Sequence, residues 1–226
     1  MLNMFSVSKI KINCAKVISI RDPPSNNELV RDFLMHWMPD NIKDFTVYKN
    51  SSQNGFVDTD FYQYGHILPN VTNKISMSNH EFSKTSLEEV VKASANCGLL
   101  EFINCKFDCE QQLDFSGATY TMSSLSFSGC GTIQDNKWEN NENRFINLMM
   151  GIANSGLKHS LATIDIRQCG VSNERVQAIM QENEISSIQT IKDEIVDQKL
   201  GIFGSKQSKV HENYHSSMFG SKPSNR

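Results

Sequence analysis

The chain has 226 residues, of which 38% are hydrophobic and 21% charged, enough apolar material for one or two soluble domains. A formal net charge of −3 and a pI near 6.1 argue against a nucleic-acid binder that relies on a broadly basic surface. No stretch approaches the roughly 18 to 20 apolar residues that span a bilayer.

The N-terminal segment, Met1 to Cys14, interrupts its apolar residues with Asn3, Ser6, Ser8, Lys9 and Lys11. It lacks the continuous apolar core of a signal peptide, so cytoplasmic or nuclear residence is expected and the sequons at Asn50 and Asn70 read as chance. Val7, Ile10, Ile12 and Val17 supply a first strand, with Ala15 at its turn. Ser25-Asn26-Asn27-Glu28 is a capping box ahead of Leu29, Val30, Phe33 and Trp37, which share one helical face. Ile42, Phe45 and Val47 lead to Asn50, and Thr72, Ile75 and Met77 lead to His80 and Phe82. A second capping box, Ser86-Leu87-Glu88-Glu89, precedes Val90 and Val91, with the small Ser94 next on that face.

The centre of the chain carries an internal repeat. Cys97-Gly-Leu-Leu-Glu-Phe-Ile-Asn-Cys105-Lys-Phe107, Met122-Ser-Ser-Leu-Ser-Phe-Ser-Gly-Cys130-Gly-Thr132 and Leu161-Ala-Thr-Ile-Asp-Ile-Arg-Gln-Cys169-Gly-Val171 align without gaps. Apolar residues stand at positions 1, 4 and 6 and a cysteine at position 9. Positions 4 and 6 alternate across a short strand and point into one core. Position 9 lies where the chain turns, and a small buried thiol fits there against carbonyls of the neighbouring coil. Counted from position 1, the units begin at 42, 72, 97, 122, 161 and 185, the last led by Ile185, Ile188 and Ile191. Helices are expected between them: Phe145, Leu148, Met149, Ile152 and Ala153 with Gly156 as the stop, and Val176, Ile179 and Met180 after an N-cap at Ser172 stapled by Val171. The interval 108–121 is poorly helical because of Gly117 and Thr119, and the 39-residue step between 122 and 161 holds an insertion, Gln134 to Asn143, rich in Asn, Glu and Asp with one Trp.

The spacing resembles the leucine-rich-repeat pattern LxxLxLxx(N/C)xL in its cysteine-bearing, ribonuclease-inhibitor-like form. That resemblance implies an α/β fold, a solenoid with a curved parallel sheet and outer helices and turns, of about five to seven repeats. The expected organisation is a repeat domain over 1–196, with core repeats over 42–191, followed by a basic tail over 197–226 of Ser, Lys, Asn and Gly that cannot bury enough surface to order alone. Within the tail, Phe203-Gly-Ser-Lys recurs as Phe219-Gly-Ser-Lys, which marks Phe203 and Phe219 as docking residues.

The same pattern directs the functional expectation. Residues of positions 2, 3, 5, 7 and 8 face the concave side of such a sheet, so Tyr48, Leu99, Glu101, Ile103, Asp165 and Arg167 are the candidate binding residues. Leu99 and Ile103 form the apolar centre, and Tyr48 and Arg167 are the anchor types. Catalysis is not expected: His36, His66, His80 and His159 lie in different units without a consistent carboxylate or nucleophile, Gly129-Cys130-Gly131 lacks the spacing and Lys of a P-loop, and the cysteines form no CxxC. The expected role is a non-catalytic interaction or scaffold module with a protein partner, and no cofactor, metal or small-molecule substrate. The alternative implied by the resemblance is a regulator of an enzyme, of the GTPase-activating or ubiquitin-ligase substrate-receptor type.

Overall fold

The computed structural model describes residues 9–12, 17–21, 42–49, 57–58, 64–133, 138 and 142–192. The expected helix at Ser25–Trp37, Asn50, and the tail residues Phe203 and Phe219 lie outside them.

The chain is α/β. Its main sheet takes the order β1 (Lys9–Ile12), β2 (Val17–Arg21), β3 (Ile42–Tyr48), β5 (Val71–Ser78), β7 (Leu99–Ile103), β9 (Ser124–Ser126), β11 (Thr163–Asp165), β12 (Gln189–Ile191). From β2 onward every strand lies parallel to the next. The in-register residues Val17, Asp44, Lys74, Leu99, Ser124, Thr163 and Gln189 stand 27, 30, 25, 25, 39 and 26 apart, close to the spacing read from the sequence. A second, smaller sheet pairs β10 (Gly131–Thr132), β8 (Lys106–Phe107), β6 (His80–Phe82) and β4 (Val57–Asp58), also in parallel.

Two rows of side chains fill the interior. Ile18, Phe45, Ile75, Leu100, Leu125 and Ile164 form one, and Ile20, Val47, Met77, Phe102, Phe127 and Ile166 the other; all twelve are buried. They are the position 4 and position 6 residues, and alternation along each strand sends both inward. Phe102 stacks on Phe127 at 5.6 Å and meets Phe107 edge-on at 5.3 Å, while Phe107 stacks on Phe82 and on Trp138. Trp138, the one aromatic of the long insertion, is therefore a plug for the core.

A left-handed residue follows each of β5, β7, β9 and β11: Asn79 (φ 62°), Asn104 (51°), Gly129 (67°) and Gln168 (61°). Asn and Gly adopt this conformation most readily, which explains three of the four. The N–H groups of Asn79, Asn104 and Gly129 donate across to Ile103, Ser128 and Arg167 carbonyls at 2.9 to 3.0 Å. One residue further on, the expected thiols are buried. The Sγ of Cys105, Cys130 and Cys169 donates to the carbonyls of Met77, Phe102 and Phe127, the position 6 residues of the preceding unit, at 3.4, 3.4 and 2.8 Å.

Among the described residues the α-helices are α1 (Lys84–Ala93), α2 (Glu142–Ala153), the short α3 (Leu157–Ser160) and α4 (Asn173–Glu182). Ser172 caps α4 as expected, its hydroxyl accepting from Arg175 N–H at 3.2 Å. Interval 108–121 contains no helix; Leu113, Phe115 and Tyr120 pack it down instead.

Several expectations are corrected. Helix α1 begins at Lys84, not after Ser86: Ser83 is extended and its hydroxyl accepts from Ser86 N–H at 3.2 Å. Gly156 has φ −62° and opens α3, because Ser155 has already ended α2 by donating to Ile152 O and accepting from Leu157 N–H. The first strand is antiparallel to β2, and the residues that continue the inner rows are Ile18 and Ile20. A shift between β3 and β5 sets Val71, not Thr72, opposite Ile42, since a buried position excludes the threonine hydroxyl. In the last unit Ile185 and Ile188 fold inward before the strand begins, so Thr190 faces Ile164 and Ile191 faces outward, 39% exposed.

Candidate functional site

The outward rows of the main sheet interleave with the buried ones. Position 3 gives Val17, Asp44, Lys74, Leu99, Ser124 and Thr163; position 5 gives Ser19, Thr46, Ser76, Glu101, Ser126 and Asp165. Position 7 begins Arg21, Tyr48, Ser78 and Ile103. Strand pairing lines these up like rungs, so neighbouring side chains across strands are about 5 Å apart at the backbone.

Over strands β2, β3, β5 and β7 this face sinks into an open depression of about 500 Å³. Its lining unites Tyr48, Glu101 and Ile103, three of the residues expected from the sequence, with Arg21, Ser76 and Ser78. The hollow exists because β5 presents serines between taller neighbours. The Arg21 guanidinium sits over the Tyr48 ring, 5.7 Å from its centroid, an arrangement worth about 0.5–1 kcal/mol at an exposed site. Glu101 is held within the fold, accepting from Ser76 Oγ at 2.8 Å and pairing with Lys74 Nζ at 2.7 Å. Asp44 likewise accepts from Asn73 Nδ2 at 2.6 Å.

The remaining expected residues stand apart. Leu99 is half-buried on the same strand as Glu101 but does not line the depression. Asp165 and Arg167 lie on or just beyond β11, two strands past Glu101, and they close on each other. Arg167 donates from its backbone N–H, Nε and an Nη to the Asp165 carboxylate at 3.1, 3.0 and 2.7 Å, and Ser126 Oγ donates to the same carboxylate at 3.4 Å. Burial alone pushes the Asp165 carboxyl up, but the Arg167 hydrogen bonds and charge outweigh it and hold the pKa below the ordinary carboxylate value. Arg167 is thereby fixed in a fork–fork pair and is a poorer anchor than its type suggested.

Arg21, Ser19 and Val17 were not foreseen as site residues. Their signal was present, in the alternation Val17-Ile18-Ser19-Ile20, but the apolar residues before it drew the strand assignment upstream.

Among the buried polar side chains, His80 Nδ1, Ser94 Oγ and Trp138 Nε1 have no hydrogen-bond partner among the described residues. His80, in the position 9 place, is 2% exposed, and its ring lies 6.2 Å from that of Phe82. Among the described residues no group of three or more His, Cys, Asp or Glu is disposed to hold a metal ion, and no helix is long and apolar enough to cross a membrane. No protein-family model matches the chain, and no curated protein is significantly similar to it.

Proposed function

We propose that this chain is a leucine-rich-repeat-like solenoid whose outward strand face binds another protein, and that it acts as a non-catalytic interaction module. The observation that carries the reading is the depression over β2, β3, β5 and β7, where one row of small hydroxyl side chains lies between an Arg–Tyr pair and an isoleucine. Tyrosine and arginine are the residue types that dominate interface energetics, and a concavity allows them to be desolvated together. The repeat reading is supported by parallel strands at 25- to 30-residue register, with one step of 39, and by thiols at one register that each bond to the preceding unit. Such a stack exposes one continuous strand surface.

The test is affinity purification with the full chain and with Ile103→Asp as parallel baits, quantified by mass spectrometry. At least one protein retained by the natural chain should fall by about tenfold or more on the variant, the loss typical of a disrupted interface centre. Equal recovery of every retained protein on both baits would overturn the assignment of this face.

A further inference from the structure

We infer that the depression recognises an extended acidic–apolar peptide segment of its partner, one large apolar side chain entering over Ser78 and a carboxylate two residues away engaging Arg21. This deepens the reading of the strand face as a protein-binding surface and rests on it.

The slot follows from strand order. Arg21 pairs with Tyr48 and Tyr48 with Ser78, which in turn pairs with Ile103, so position 7 runs cation, ring, hydroxymethyl, aliphatic across four adjacent strands. Tyr48 and Ile103 are separated by two strand spacings, roughly 10 Å, with only a serine in the column between them. That gap accommodates one side chain sandwiched between the tyrosine ring and the isoleucine. Both walls are apolar, which selects an aromatic or large aliphatic occupant. Ser78 itself is buried at 6% exposure, so the occupant displaces little further solvent from the floor and gains its contacts from the walls.

The charge follows from which groups are already neutralised. The lining of the depression carries Arg21 and Lys74 against Asp44 and Glu101, and in the position 7 row across these four strands Arg21 is the one charged side chain. Glu101 is neutralised by Lys74 and hydrogen-bonded by Ser76, while Asp44, hydrogen-bonded by Asn73, stands in the position 3 row at the opposite end of the strands from Arg21. The Arg21 guanidinium is exposed, lies on the Tyr48 ring, and a planar guanidinium takes a carboxylate in bidentate fashion while keeping that stack. In an extended segment, residues two apart lie on one side about 6.7 Å from each other; Arg21 stands two strand spacings, about 10 Å, from Ser78 at the backbone, but its guanidinium lies back over the Tyr48 ring, one spacing from the slot. A cation in that place would face Arg21 and be repelled.

The experiment is to pan a randomised decapeptide display library against the immobilised full chain. The selected peptides are then measured on Arg21→Glu, Arg21→Gln, Ser78→Leu and Ile103→Asp, each first shown to melt like the natural chain. Enriched peptides are expected to carry Asp or Glu two positions from Phe, Tyr, Trp, Leu or Ile. They should lose about tenfold or more in affinity on Arg21→Glu, less on Arg21→Gln, and be excluded by Ser78→Leu, which fills the slot. Peptides weakened by Ile103→Asp but indifferent to Arg21→Glu would keep the face as the binding surface and overturn the acidic specification. Peptides indifferent to all four variants would overturn both readings, and a library that yields no acidic–apolar enrichment overturns this inference while leaving the purification test to judge the face.

Discussion

Each position 9 thiol has a partner, and the partner is a backbone carbonyl of the unit before it. Cys130 Sγ bonds Phe102 O and is itself the acceptor for Cys105 N–H at 3.4 Å, so one atom ties two neighbouring turns. We therefore expect Cys105, Cys130 and Cys169 to resist alkylation in the native protein and to react after denaturation, with mass spectrometry as the readout; rapid native labelling of all three would contradict the assigned register. Cys130→Ser keeps a small donor and should cost about 1 kcal/mol, whereas Cys130→Leu overpacks the turn and should cost about 1–3 kcal/mol in urea unfolding. The thiols also set an alkaline limit. Burial pushes Cys97 up to about 12 and raises Cys109 further, helped by the Asp108 charge. A raised folded pKa means that stability is intact below the unfolded thiol pKa near 9 and is lost as pH climbs toward the folded value. Each such thiol removes about 1.4 kcal/mol per pH unit in that window. Urea midpoints measured from pH 8 to pH 10.5 should be level at first and then fall; a level profile throughout would show that these thiols are not desolvated.

Helix α2 lies against the non-helical segment 108–121 through a glycine. A Cβ at Gly151 would stand 2.9 Å from Leu113 Cβ and 3.0 Å from a Phe115 ring carbon. Gly151→Ala gains about 1 kcal/mol of helix propensity but must push this interface apart, so the net expectation is destabilisation by about 1–2 kcal/mol. A rise in thermal midpoint would show that α2 is not seated this closely. At the end of α4, Glu184 is left-handed at φ 57° while Ile185 N–H reaches back to Met180 O at 3.0 Å, the hydrogen-bond pattern of a Schellman cap without its glycine. Glu184→Gly should therefore raise stability by about 1 kcal/mol, read from the same unfolding curves. These details also show where sequence reading stops. Phe45-Thr-Val47, Leu100-Glu-Phe102 and Leu125-Ser-Phe127 announce their strands because alternation and a following turn residue agree. The shift at Val71 is hidden, since Val71 and Thr72 are adjacent and only pairing decides which one is buried. The last unit is mis-set for a related reason: isoleucines at 185, 188 and 191 satisfy two registers, and the tight Ile188 N–H to Ile185 O bond selects the one that periodicity alone does not.

From the position 4 residue onward in β3, β5, β7, β9 and β11, one alternating pattern assigns the strand residues to the core rows or to the outward face, and that division was legible from the sequence. What was not legible is which outward residues share a hollow. Tyr48, Glu101 and Ile103 come together because β5 places serines between them, whereas Asp165 and Arg167, outward by the same rule, neutralise each other. Arg21 enters the site only because β2, and not the strand before it, continues the parallel order. The pair Phe102 and Ile103 tests the division at its sharpest, since one residue separates a ring buried among Phe82, Phe107 and Phe127 from a side chain that borders the depression. The decisive measurement is thermal unfolding together with partner retention for Phe102→Asp and Ile103→Asp. Phe102→Asp should abolish cooperative unfolding, because it removes a buried ring and leaves an unpaired carboxylate in the core, a loss above about 4 kcal/mol. Ile103→Asp should keep its transition within a few degrees of the natural chain, on the order of 1 kcal/mol, and lose the partner. Equal destabilisation by the two variants would contradict the strand facing, and with it the binding face.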